Sequence, residues 1–160
     1  MTKDSPSVSR TDRPEKKRIP KNPGYRLAAH AVDAMLDKKA HDVAVIDLRG
    51  ISGVAEFFVI GTGDSDLQVR AIANSVRNRI KEECEERVWH KEGLDHLEWV
   101  LLDYVDCVVH IFSGEKRTHY DLERLWGEAT IETVPDDGSA EDVELLQDIE
   151  QQARRQAENA

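Results

Sequence analysis

Apolar residues recur along this chain with two different periods, and the switching between them predicts its elements. After the start signal Asn22-Pro23-Gly24, the residues Ala28, Ala31, Val32, Met35 and Leu36 repeat at helical spacing as far as Lys39. The next stretch, DVAVIDLRG, carries Val43, Val45 and β-branched Ile46 and closes at Gly50, which predicts a strand. EFFVIGTG follows with Phe57 to Ile60 apolar without interruption, the pattern of a strand covered on both faces.

Ser65 and Gln68 then give a capping-box signature, and Val69, Ile72, Ala73, Val76 and Ile80 trace one face of a helix. RVWH predicts a short strand. LEWVLLD and CVVHIF predict two longer ones, and the four residues DYVD between them suit an antiparallel hairpin. A helix is expected from Thr118 to Ala129, with Leu122, Leu125, Trp126 and Ala129 on one stripe. The predicted fold class is α/β, a mixed sheet of about five strands flanked by helices.

The two ends read differently. Residues 1–22 are rich in Ser, Pro, Lys and Arg with no periodicity, and are expected to form a disordered basic arm. After Pro135 the composition turns acidic. A sparse stripe of Val143, Leu146, Ile149 and Ala153 predicts a partly helical tail, frayed in isolation. The expected organisation is therefore an arm over 1–22, a domain over 23–131 and an acidic tail over 132–160.

Charge sharpens this division. The chain carries a net −10 over its 160 residues. Residues 1–26 hold eight basic and three acidic side chains, whereas residues 132–160 hold two basic and nine acidic. The stretch between them has twelve basic and twenty acidic. So acidic a core repels phosphate backbones, which argues against direct DNA or RNA binding by the domain and favours a basic protein partner. No run approaches the ~18 apolar residues of a membrane span. The N-terminal stretch lacks the apolar region of a secretory signal. Cys84 and Cys107 have no CxxC partner and suit a reducing compartment, so the cytoplasm is the expected address.

Candidate chemistry is sparse. GTGDSD, Gly61 to Asp66, matches neither dinucleotide nor P-loop spacing, and Asp64 and Asp66 would repel a phosphate. Its glycines read as turn formers and Ser65 as a cap. The alternative is a residual metal-dependent nucleotidyltransferase or nucleotide-binding module using Asp64 and Asp66. Such a site needs a third carboxylate across the sheet, and Asp103 and Asp106 at the hairpin are the only candidates. Six histidines include no HxxxH or HExxH. Cys107 lies on the opposite face of the pleat from His110, which excludes a Cys-His dyad. No catalytic residue, metal or cofactor is expected.

What remains is an aromatic and acidic group. Trp99 begins one strand, Asp103 and Asp106 bracket the hairpin, and His110 and Phe112 share a face of the next strand. Tyr120, Glu123 and Trp126 lie on the helix that follows. Trp126 reads as core beside Leu122 and Leu125. Trp99 and Tyr120 have the composition of an interface hot spot, apolar bodies with polar tips beside carboxylates.

The ordered run FFVIGTG, then Gly93 ahead of W.LLDY.D.VVHIF, then R..Y.LE.LW, resembles the ribosomal silencing factor family, also called Iojap-like proteins. The resemblance covers about residues 22–130. It implies a cytoplasmic, non-enzymatic α/β domain of nucleotidyltransferase-like topology that lacks the catalytic carboxylates. It also implies binding to ribosomal protein fourteen of the large subunit, a steric block to small-subunit joining, repression of translation under nutrient limitation, and a homodimer when free. Carried onto matching positions, the partner surface comprises Trp99, Asp103, Asp106, His110, Arg117, Tyr120, Glu123 and Trp126. Two positions depart from the family pattern. Glu56 stands where Asp is usual, and Val105 stands where Gly is usual, so the hairpin is expected to use a different turn.

Overall fold

In the computed structural model, residues 19–147 are described. The elements run α1 (Gly24–Asp37), β1 (His41–Asp47), β2 (Phe57–Gly63), α2 (Asp66–Cys84), β3 (His90–Glu92), β4 (Trp99–Asp103), β5 (Cys107–Ser113), α3 (Gly114–Tyr120), α4 (Leu122–Leu125) and β6 (Thr130–Thr133). The strands form a six-stranded mixed sheet in the order β3-β4-β5-β2-β1-β6. Only β2 and β5 pair in parallel; the other neighbours are antiparallel.

Strand β2 sits at the centre of the sheet and is buried at every position. That is the double coverage its unbroken apolar run predicts. Alternate residues of the strands feed two separate apolar layers. Val43, Val45, Phe57, Val59, Val100, Leu102, Val109 and Ile111 face α1 and α2. Ile46, Phe58, Ile60, Leu101, Val108 and Phe112 face the other way, where α3, α4 and the loop after them give a thinner cover. Gly61 and Gly63 lie within β2 rather than in the expected turn. Their role is close approach: a Cβ on Gly61 would stand 2.6 Å from Met35 Sδ, and one on Gly63 would stand 3.1 Å from the backbone nitrogen of Val69.

Both long helices obtain their N-terminal partners from side chains. The Ser65 hydroxyl accepts from the Gln68 N–H at 3.1 Å, as the sequence predicts. Gln68, however, accepts from the Asp64 N–H at 2.6 Å instead of from Ser65, and its amide donates to the Lys38 and Lys39 carbonyls that end α1. Helix α1 starts without a capping side chain of its own. Glu56 supplies one from 32 residues on, its Oε1 accepting from the Gly24 N–H at 3.2 Å. A carboxylate there also meets the positive end of the helix dipole.

Four expectations need correction. The short strand forms at His90–Glu92, three residues beyond the start of RVWH. The helix expected over Thr118 to Ala129 begins at Gly114 and breaks at Asp121, which takes φ 46°. Aspartate is among the few residues that tolerate this left-handed region. The break rotates Leu125 outward to 71% exposure. The acidic stretch from residue 132 is, as far as residue 147, part of the domain: Thr130–Thr133 pairs with β1 as a sixth strand, and Val134, Ala140, Val143 and Leu146 bury in the α1–α2 layer. Side-chain carboxylates hold this segment by its backbone. Asp33 Oδ1 accepts from the Ala140 N–H at 2.8 Å, and Glu132 accepts from the N–H groups of Glu144 and Leu145 at 3.0 and 2.9 Å.

Finally, the end of the expected arm is anchored, since Glu86 Oε1 accepts from the backbone N–H groups of Lys21 and Asn22. The remainder of the arm, residues 1–18, and the tail beyond residue 147, with Ile149 and Ala153 of its stripe, lie outside the described residues.

Candidate functional site

The eight residues assigned to a partner surface separate into three groups. The first is an aromatic stack on the thinly covered side of the sheet. Trp99 on β4 pairs directly with Phe112 on β5, and their rings stack with centroids 4.9 Å apart. Tyr120, at the end of α3, lies 4.5 Å from Trp99, centroid to centroid. Trp126 meets Phe58 edge to face at 5.8 Å. All three indole and phenol rings are half-buried, so each has one side in the core and an edge toward solvent.

His110 belongs to this stack but not to the surface. It is 3% exposed, and its Nδ1 accepts from Trp99 Nε1 at 3.0 Å. Burial pushes its imidazole down to about 3, so the ring is neutral. Because Nδ1 accepts, the proton sits on Nε2; the imidazole as a whole packs against Phe58 with ring centroids 4.6 Å apart. Its expected place as a contact residue is corrected here: His110 positions Trp99.

The second group is the pair Arg117 and Glu123. Arg117 Nη1 donates to Thr62 Oγ1 at 2.9 Å, and its Nε lies 3.3 Å from Glu123 Oε1. The Arg117 side chain is only 14% exposed, whereas Glu123 is 31% exposed. The guanidinium therefore ties α3 to the end of β2 and holds Glu123 at the rim.

The third group is the hairpin. Asp103 lies four residues from Trp99, about 13 Å along the strand. It is 3% exposed, and its Oδ1 accepts from the Val105 N–H at 2.8 Å. Like His110, it is buried. The Asp106 carbonyl accepts from the N–H groups of Glu56 and Phe57, fastening the hairpin to β2. Val105 does not avoid the left-handed region as expected. It takes φ 75°, and the Asp106 N–H donates to the Tyr104 carbonyl at 3.0 Å, closing a three-residue γ-turn.

Sequence reasoning missed Leu125 by placing it in a buried stripe. Only a break at Asp121 brings it outward, and no glycine or proline announces that break. With Trp99, Tyr120 and Trp126 it gives this side of the molecule an apolar surface, beside a rim that includes Glu98, paired with Lys116 at 3.6 Å, and Glu123.

His110 and Asp64 bear on the catalytic alternative. The second nitrogen of His110, Nε2, is buried and has no hydrogen-bond partner among the described residues. Asp64 is engaged by His41, which lies 2.6 Å from it and 2.9 Å from Asp42. Those hydrogen bonds, the one to Asp42 first, raise the His41 pKa and favour the imidazolium. Among the described residues, no group of three or more His, Cys, Asp or Glu side chains could hold a metal ion. Among the same residues, no helix is long and apolar enough to cross a membrane.

Comparison with known proteins gives this surface a context. A sequence model of the family described as "Ribosomal silencing factor during starvation" matches residues 21–160. The ribosomal silencing factor RsfS of Bacillus subtilis is 43% identical over 106 residues, which cover 66% of this chain and 86% of that protein. The chloroplastic protein Iojap of Zea mays is 34% identical over 111 residues, 69% of this chain and 48% of that one. A crystal structure of a protein from Chromobacterium violaceum superimposes with a TM-score of 0.64 at 35% identity, covering 66% of this chain and 88% of the other. With a family match that spans the sheet, both long helices and the acidic segment, this chain belongs to the ribosomal silencing factor family.

Proposed function

We propose that the protein binds the large ribosomal subunit through its ribosomal protein fourteen and sterically prevents the small subunit from joining. Translation is thereby lowered when nutrients are short. On this reading the protein is not an enzyme, and it forms a homodimer when free. The observation that carries the site assignment is the half-buried stack of Trp99 on Tyr120, on the side of the sheet where α4 also presents exposed Leu125. Aromatic anchors with one face in the core and one edge in water are the groups from which interface hot spots are made. The acidic domain favours a basic protein as the partner. Asp103, His110 and Arg117 act behind this surface by holding it in shape. Tyr120, Trp126, Glu123 and, at its far end, Asp106 complete it.

A sucrose-gradient assay tests the proposal. Large subunits are mixed with the protein, small subunits are added, and co-sedimentation and joined particles are measured together. The protein is expected to travel with the large subunit and to lower the joined fraction. Trp99→Ala should weaken binding by about 30-fold to 1,000-fold, the roughly 2–4 kcal/mol of a hot spot. Leu125→Glu, at a site with little fold to lose, should weaken it as well. Wild-type protein remaining at the top of the gradient would refute the function. Undiminished binding by both variants would refute the site alone.

A further inference from the structure

The acidic average hides a basic groove on the other side of the sheet. The outer face of α2, the loop before β3, and β3 itself enclose a cavity of about 400 Å3 lined by Arg77, Lys81, Arg87 and Lys91. Arg77 and Lys81 stand one helical turn apart on α2. Asn74 and Asn78 repeat that spacing beside them. The groove's single acidic lining residue is Glu86. Its Oε1 already accepts from the backbone N–H groups of Lys21 and Asn22 and, at 3.3 Å, from Asn22 Nδ2.

Two further observations give the groove a direction. Val88 and Tyr104 at its floor belong to the apolar layer that faces α1 and α2, whereas Trp99 and Tyr120 pack in the opposite layer. The groove and the proposed docking face therefore lie on different sides of the molecule. The chain enters the domain at this groove, through the bonds of Lys21 and Asn22 to Glu86. Residues 1–21 carry seven basic and three acidic side chains. Positive charge in the sequence is thus continuous with positive charge in the fold.

We propose that this groove is a docking strip for an RNA phosphodiester backbone. From Asn74 to Lys81 it extends about 10 Å along α2, and it opens to solvent. That shape suits a run of phosphates better than a single anion. Lysine, arginine and asparagine side chains are the groups that contact phosphate and sugar oxygens, and they carry no sequence preference of their own. Net charge did not predict this, because the interaction is set by local potential at a separation within a Debye length.

The test uses the full chain and a labelled single-stranded oligouridylate, followed by fluorescence anisotropy over a salt series. The wild type is expected to bind with an affinity that falls linearly in log-log form with salt. Arg77→Gln/Lys81→Gln should flatten that slope by roughly 1.4, at about 0.7 per phosphate contact on a single strand, and weaken affinity by about tenfold. Lys38→Gln/Arg124→Gln removes the same charge elsewhere and should leave both unchanged. Trp99→Ala should bind RNA as the wild type does, which separates this surface from the one proposed for the ribosomal protein. Absence of salt-dependent binding would overturn the proposal. An unchanged slope in Arg77→Gln/Lys81→Gln would also overturn it, by leaving the N-terminal basic residues as the sole contact. Full displacement of the oligonucleotide by equimolar ATP would make the groove a nucleotide site instead.

Discussion

The indole Nε1 of Trp99 donates to Nδ1 of His110 at 3.0 Å, so a buried neutral histidine sets the orientation of a half-exposed tryptophan. The two residues are eleven positions apart, on neighbouring antiparallel strands, and Phe112 stacks beneath the indole. A ring held from below and from the side loses little conformational freedom when a partner covers it, which is how a preorganised anchor gains affinity.

Burial of the His110 imidazole makes stability depend on pH. The folded His110 pKa of about 3 lies below the ordinary histidine value of about 6.5. Its contribution is therefore complete above about pH 6.5 and is lost as pH falls toward 3, at up to about 1.4 kcal/mol per unit. His41 runs the other way: its raised pKa gives stability below the ordinary value that is lost as pH rises through the folded one. That effect is small because the site is open to solvent. Denaturant unfolding from about pH 7 down to about pH 5 should show the wild type weakening and His110→Gln weakening less. Equal slopes would mean that another group titrates.

Val105 is a second place where a local preference has been overruled. A β-branched residue at φ 75° is strained. Val105→Gly should raise the unfolding free energy by up to about 1 kcal/mol, the relief of strain being offset in part by the greater entropy of glycine in the unfolded chain. A loss of stability would show that Val105 packing outweighs its backbone.

Gly93 has no such latitude. It takes φ 86°, and a Cβ there would overlap the carbonyl oxygen of Trp99. Gly93→Ala should cost about 3 kcal/mol or more, with the near-UV signal of Trp99 altered. A variant as stable as the wild type would show that β3 can shift away from β4 freely.

Two carboxylates hold the segment after β6, Asp33 at Ala140 and Glu132 at Glu144 and Leu145. Glu132→Ala removes the acceptor of two backbone N–H groups and should cost about 1–3 kcal/mol. Limited proteolysis should then cut between Val134 and Gln147 while α2 survives. Protection equal to the wild type would assign the docking to the Asp33 bond and the buried side chains Val134, Ala140, Val143 and Leu146.

These same residues show what was legible in the sequence. Ser65 could be read as a cap, and the alternation in β4 and β5 as paired strands, because each depends on neighbours a few positions away. Trp99 and Tyr120 could be singled out by type. The sixth strand and the docked acidic segment could not. Asp33 meets the Ala140 N–H across 107 residues. The stripe of Val143 and Leu146 announces a partly helical tail, whereas the segment forms two three-residue 3-10 turns with Val143 between them. Nor could the exposure of Leu125, which follows from one aspartate adopting a left-handed conformation. The burial of His110 was hidden for a related reason, since its partner Trp99 stands eleven positions away on the neighbouring strand.

The unequal cover of the sheet has a consequence for how the molecule breathes. On one side, two long helices and the anchored acidic segment must come away together. On the other, a seven-residue helix and a four-residue helix meet at a left-handed residue, Asp121. Opening there exposes Ile46, Phe58 and Phe112 while the opposite layer stays closed, so amide exchange should be graded across the sheet rather than uniform. A protein seated on that side supplies the layer that the fold itself lacks. Part of its binding energy is then spent on quieting the domain, and occupancy can be read out as slower exchange on strands it never touches.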